Sequence, residues 1–183
     1  MSQTFLDENP PMILNATCSF RHVRTPSWPA HATLRMDIRR EVDPDIQADI
    51  RFMPFRDHLF SKVFVDLPHM IRKDPFIRPH DRTFRRRLRG RTSPNSFERY
   101  GHFSSYEEML DTLQKADSEI KRVLRPEDGL TIWKWTYGSD RRLTRREDLD
   151  SLKSFDIIDE KITPSRTPGS TNKVSWLTMK PKP

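Results

Sequence analysis

Apolar residues in this 183-residue chain come in short runs punctuated by Pro, Gly and charge. Val63-Phe64-Val65 is a continuous β-branched and aromatic run between Lys62 and Asp66. An unbroken run of this kind marks a strand covered on both faces, as in a parallel sheet. Met12-Ile13-Leu14 reads as an earlier short strand that ends at Asn15-Ala16-Thr17-Cys18. Ala32 to Met36 reads as a second strand ending at Asp37, and Ile46 to Asp49 as a third. Lys62 to Asp66 is the fourth, Leu130 to Trp135 the fifth, Phe155 to Ile158 the sixth and Lys173 to Met179 the last. One stretch has helical period instead. Leu110, Leu113, Ala116, Ile120, Val123 and Leu124 share a face, behind Ser104 or Ser105 as cap and Glu107 and Glu108 in the first turn. The pattern predicts a helix to about Leu124, stopped by Arg125-Pro126-Glu127-Asp128-Gly129. Thr144 to Leu152 reads as a polar helix with a capping box from Thr144 to Glu147. Pro26 and Pro29 exclude a long helix between the first two strands. Seven short strands with a strong helix between the fourth and fifth predict an α/β fold with a doubly wound sheet.

Composition narrows the setting. The length suits one domain with a modest core, since 34% of residues are hydrophobic and 32% charged. A single Cys cannot close an internal disulfide, which points to a reducing compartment. No apolar run approaches a membrane span, and the N-terminus lacks a signal-peptide pattern, so a soluble cytoplasmic protein is expected. The six His show no metal-ligand spacing, and no metal site is expected. The net charge of +7 is not diffuse. Residues 70–102 hold ten Lys/Arg against three acids and carry all of it, while the remainder has 23 of each sign. This window, with Pro75, Pro79, Pro94 and the run Arg85-Arg86-Arg87-Leu88-Arg89-Gly90-Arg91, reads as a basic insertion suited to a polyanion such as DNA or RNA. Phe76, Phe84, Phe97 and Tyr100 offer stacking faces beside the charge.

The stretch from Asp43 to His69 carries a resemblance. An acidic residue follows a short apolar run (Asp49), then comes Met53-Pro54-Phe55, then the fourth strand ending in Asp66-Leu67-Pro68-His69. This resembles the class I S-adenosylmethionine-dependent methyltransferases, and within them small amino-methyltransferases with an Asp-Pro-Pro-Tyr or Asp-Pro-Pro-His motif. Arg122-Val123-Leu124-Arg125-Pro126 with Gly129-Leu130, and the final run Val174 to Lys180, look like that family's turn into the fifth strand and its antiparallel last strand. The resemblance implies a Rossmann-like, seven-stranded sheet with one reversed strand, forming a single domain over 1–183 with the basic insertion at about 70–102.

It also implies a site. Asn15, Ala16, Thr17 and Cys18 stand where the family's first-strand turn meets the methionine moiety of the donor, with Asn15 in place of Asp and Ser19 in place of Gly. Asp37 stands where an acid accepts both ribose hydroxyls, a task for which a carboxylate has the acceptors. Asp49 matches the residue facing the adenine amino group, with Ile50 and Met53 beside the ring. Asp66, Pro68 and His69 match the catalytic turn: the acid accepts a hydrogen of an exocyclic amine and the ring stacks on an extruded base. The implied activity is methyl transfer from S-adenosylmethionine to an exocyclic amine of adenine or cytosine in nucleic acid. Methylation of a small molecule or protein, and a non-catalytic nucleic-acid-binding module on the same fold, are the alternatives. Cys18 raises a covalent cytosine-C5 route, which its place in the first turn disfavours.

One expectation follows from the charge distribution alone. Replacing Arg85, Arg86, Arg87, Arg89 and Arg91 with Ser should weaken nucleic-acid binding and flatten its salt dependence, by a slope of up to about 4–5 for duplex DNA. Thermal stability should barely change, because a Pro- and Arg-rich loop adds little to a core. Titrations at several salt concentrations check both, and an unchanged slope would reduce the segment to a solvated insertion.

Overall fold

Every apolar run singled out above forms a strand. The computed structural model describes residues 12–18, 32–68, 71, 102–138, 144–164 and 172–183. Within these lie β1 (Ile13–Asn15), β2 (Leu34–Asp37), β3 (Ile46–Gln47), β4 (Lys62–Val65), β5 (Leu130–Tyr137), β6 (Phe155–Pro164) and β7 (Lys173–Pro181). They build one seven-stranded sheet in the order β3-β2-β1-β4-β5-β7-β6. The neighbours from β3 to β5 pair in parallel, and β7 runs antiparallel to both β5 and β6. The sheet is therefore mixed, with one reversed strand, as expected.

β4 is central, and Val63 and Val65 are fully buried. Its neighbour β5 alternates, with Thr131, Trp133 and Trp135 buried on one face. That face meets the single α-helix of the described residues, α1 (Tyr106–Val123). Ser105 caps α1 by accepting from the Glu108 N–H at 3.1 Å, and Glu107 and Glu108 sit in the first turn, where the dipole favours them. Met109, Leu113, Ala116, Ile120 and Val123 join Val63, Val65, Trp133 and Trp135 in one core cluster. Double winding requires helices on both faces, and the described residues supply one on one face.

Two expectations need correction. Residues 146–151 form a 3-10 helix, and Thr144 does not cap it. The Thr144 hydroxyl is buried and donates to the Thr136 carbonyl at 2.7 Å, so it ties the segment to β5. The reciprocal bond at the helix start instead runs from the Arg145 N–H to Asp148 at 2.6 Å. β6 also runs to Pro164, six residues past Ile158, because the long β7 offers pairing along its whole length. A register shift between Ile157 and Asp159 disguises its alternation.

The turn from α1 into β5 is tight. The Gly129 N–H donates to the Arg125 carbonyl at 3.0 Å, and a Cβ on Gly129 would stand 2.3 Å from that same oxygen. Gly129→Ala must therefore push backbone apart, at a cost of about 1–3 kcal/mol. Denaturant unfolding should show a lower midpoint at unchanged slope. An unchanged midpoint would mean the turn relaxes freely.

Candidate functional site

The order of strands reverses between β1 and β4, so the connections leaving their carboxyl ends diverge and open a crevice. A cavity of about 350 Å³ lies there. Its lining comes from Ala16 and Thr17 after β1, Asp37 to Arg39 at the end of β2, Ala48 to Arg51 after β3, and Asp66 to Pro68 after β4. His102, Phe103, Glu108 and Thr112, at the start of α1 and just before it, close one side.

Of the four carboxylates that line this space, the three at strand ends are each held by a cation. Asp37 is buried and accepts from the Arg39 N–H at 3.0 Å, from Nε at 3.0 Å and from Nη2 at 3.1 Å. Asp49 accepts from the Arg51 N–H at 2.9 Å, from Nε at 3.1 and 2.9 Å, and from Nη2 at 2.6 Å. Asp66 Oδ2 accepts from Lys134 Nζ on β5 at 2.6 Å, and the Asp66 N–H donates to the Thr17 hydroxyl at 2.6 Å. Asp66 Oδ1 has no hydrogen-bond partner among the described residues. Burial works to raise the Asp49 pKa, but the Arg51 hydrogen bonds outweigh it and hold the group below the usual carboxylate range. The bond to Asp37 raises the Arg39 pKa further still, so the guanidinium keeps its charge. Glu108 is likewise held low by hydrogen bonds from the Ser104 hydroxyl and N–H.

The cavity thus gathers Ala16, Thr17, Asp37, Asp49, Ile50, Asp66 and Pro68 from the expected set. Asn15 and Cys18 are buried outside its lining, and Asn15 Oδ1 has no partner among the described residues. Burial pushes the Cys18 thiol up to about 11, so it is not a thiolate nucleophile near neutral pH. Met53 is also buried outside the lining. His69 and the five arginines Arg85, Arg86, Arg87, Arg89 and Arg91 lie outside the described residues. Sequence reasoning missed Arg39, Arg51 and Lys134. The first two carried a signal, because the tripeptide Asp-Ile-Arg occurs at 37–39 and again at 49–51. Lys134 carried none, since only pairing of β4 with β5 brings it to Asp66. Among the described residues, no group of His, Cys, Asp and Glu is placed to hold a metal ion, and no helix is long and apolar enough to cross a membrane.

A clamp fixes the chain between β3 and β4. Arg122 on α1 uses all five of its donors. Nε and Nη2 reach Glu119 at 2.9 and 2.8 Å, Nη1 reaches the Phe55 carbonyl at 2.7 Å and Asp57 at 2.8 Å, and Nη2 also reaches the Met53 carbonyl at 3.0 Å. Glu119 accepts in addition from the Met53 N–H at 2.7 Å. The segment that follows Asp49 and Arg51 is therefore locked to the helix that lines the cavity's other side.

No family model matches the sequence, and no curated protein sequence matches it. Solved structures do. N-methyltransferase NodS from Bradyrhizobium japonicum WM9 aligns with a TM-score of 0.56 at 9% identity, over 94% of this chain and 86% of that one. A TehB-like SAM-dependent methyltransferase from Corynebacterium glutamicum aligns with a TM-score of 0.47 at 15% identity, over 95% of this chain and 83% of that one. At such identities the likeness to NodS establishes a shared fold.

The clamp makes a pH prediction. Hydrogen bonds from Arg122 lower the Glu119 pKa against the opposing effect of burial. A carboxylate depressed in the folded state contributes stability that is fully present above its unfolded value, about 4.3, and is lost as pH falls through the lower folded value. Thermal stability should hold from pH 7 to about 5 and then fall. Glu119→Gln should remove about 1.5–3 kcal/mol at pH 7 and shrink that acid-side loss. Melting curves from pH 7 to 3 check this, and an identical acid slope in the variant would refute the role of Glu119.

Proposed function

We propose that this protein is an S-adenosylmethionine-dependent methyltransferase of nucleic acid, acting on an exocyclic amine of adenine or cytosine. The observation that carries the reading is the convergence of Asp37, Asp49 and Asp66 on one cavity at the strand ends of a fold shared with NodS. These are the acids expected to meet a ribose, an adenine amino group and a target amine.

The residues present suit such a donor. The cavity volume of about 350 Å³ falls within the range of small-molecule sites. Its lining mixes apolar surface from Ile38, Ile50, Leu67 and Phe103 with carboxylates that can accept from hydroxyls and amines. The first-strand turn has no Gly, and the N–H groups of Ala16 and Cys18 are already bonded to the carbonyls of Phe64 and Met36, both at 2.9 Å. Donor recognition in this reading falls mainly to Asp37 and Asp49.

The bound donor would supply a methyl group already activated by its sulfonium. The protein has to orient a poorly nucleophilic amine. Lys134 and Thr17 fix Asp66 from two sides, and Oδ1 remains as the acceptor for an amine hydrogen. Pro68, in the cavity lining, stiffens the turn that carries it. His69, from outside the described residues, would stack on the base. The polyanionic substrate follows from the basic segment 70–102, which begins directly after this turn and holds the whole net charge.

The test has two stages. Calorimetry with S-adenosylmethionine should give saturable binding that Asp37→Ala weakens by about 1–3 kcal/mol, through loss of the ribose acceptor. Asp66→Ala should abolish methyl transfer to oligonucleotides, and donor affinity should stay within a few-fold. Full activity in Asp66→Ala would misplace the catalytic turn. An absence of donor binding by wild-type protein and by variants that open the site would turn the reading toward the non-catalytic nucleic-acid-binding module.

A further inference from the structure

The two Asp-Ile-Arg turns have the same construction. Each follows a parallel strand, each Asp accepts from the backbone N–H two residues on, and each Arg folds back onto that Asp with Nε and Nη2. A carboxylate offers about four acceptor positions. On Asp37, Arg39 takes three of these, two on Oδ1 and one on Oδ2. On Asp49, Arg51 likewise uses three donors, its Nε–H being shared between both oxygens. A ribose needs two acceptors on Asp37 for its two hydroxyls, and with Arg39 in place the carboxylate has room for about one.

We propose that Arg39 is a built-in competitor for the ribose-binding carboxylate, so that a nucleoside binds by exchanging the Arg39 guanidinium for its two ribose hydroxyls on Asp37. The backbone N–H of Arg39 keeps its bond to Oδ1, so the turn itself survives the exchange. The Arg39 side chain is 22% exposed while that of Asp37 is 5% exposed, so the cation lies toward solvent and the anion stays in the wall. The exchange trades an ion pair in a partly wet site for two hydrogen bonds to an ionised acceptor, which are stronger than neutral ones. The competitor also explains how a buried acid persists when no ligand is bound, since an unpaired buried carboxylate is costly. The inference rests on the nucleoside-donor reading given above, and its test separates the two.

The probe is S-adenosylhomocysteine, a donor-shaped ligand of zero net charge, titrated by calorimetry into wild-type protein, Arg39→Met and Arg39→Lys. Arg39→Met should bind it about two- to fivefold more tightly, the scale of a partly exposed ion pair. Arg39→Lys keeps the charge but cannot span both oxygens, and should fall between; it also carries the test should Arg39→Met fail to fold. In wild type, affinity should rise with salt as the competing pair is screened, and in Arg39→Met it should be flat. Measurable wild-type binding that Arg39→Met leaves equal or weakens would overturn the competitor and keep the donor reading. Binding by Arg39→Met where wild type shows none would support the competitor in its strongest form. Failure of all three proteins to bind would overturn both.

Discussion

An acid at the end of a buried parallel strand must find a positive partner or a hydrogen-bonded ligand, because water is scarce there and an unpaired carboxylate is expensive. At the carboxyl edge of this sheet the constraint is strongest for Asp37, whose side chain is 5% exposed, and weaker for the half-buried Asp49 and Asp66. Asp37 ends β2, Asp49 and Asp66 follow β3 and β4, and Arg39, Arg51 and Lys134 answer them one for one. The edge is polar enough to recognise a ligand, yet it is neutralised from within the chain. Two of the cations lie two residues from their acids, so the pairs form with the turns themselves. The third comes from the adjacent strand and forms only when the sheet does.

Rigidity around this edge comes from α1. Its far end supplies Arg122 and Glu119, which bind the backbone of Met53 and Phe55, and the N–H groups of His58, Leu59 and Phe60 bond to the carbonyls of Arg122 and Val123. The loop before β4 thereby closes the helix end, and His58 takes a left-handed conformation (φ 57°) to do so. Its near end supplies Glu108 and Thr112 to the cavity. One helix, packed on the central strands through its apolar face, thus sets the spacing between the turn after β3 and the opposite wall. The same helix leads through the close approach at Gly129 into β5, the strand that carries Lys134.

The charge of the chain is divided in the same way. The strand-end acids at the cavity are balanced pair by pair, while the net excess of +7 belongs to residues 70–102. In the proposed function the balanced region handles a small donor, and the basic segment handles a large polyanion. Close ion pairs confer geometry, whereas a cluster of like charges confers long-range attraction.

The sequence by itself determined roughly where the strands begin, that a helix starts at Ser104 or Ser105, that Asp37, Asp49 and Asp66 stand at strand ends, and that the run from Arg125 to Gly129 stops the helix before β5. These follow from local rules: hydrophobic period, capping, and the polar residue that halts a buried run. Only the tertiary structure decided the rest. Thr144 looked like a cap because a hydroxyl before a polar stretch usually is one, but its position beside the Thr136 carbonyl offered a buried acceptor instead. β6 looked short because a register shift breaks its alternation, and only the length of β7 extends it. Lys134 was a strand residue like any other until β4 and β5 aligned and put its ammonium on Asp66. Asp37 read as an open acceptor, since the sequence shows which groups are near in the chain but not which lone pairs are already taken. That occupancy depends on side-chain direction at the strand end, which the sheet fixes and the order of residues does not.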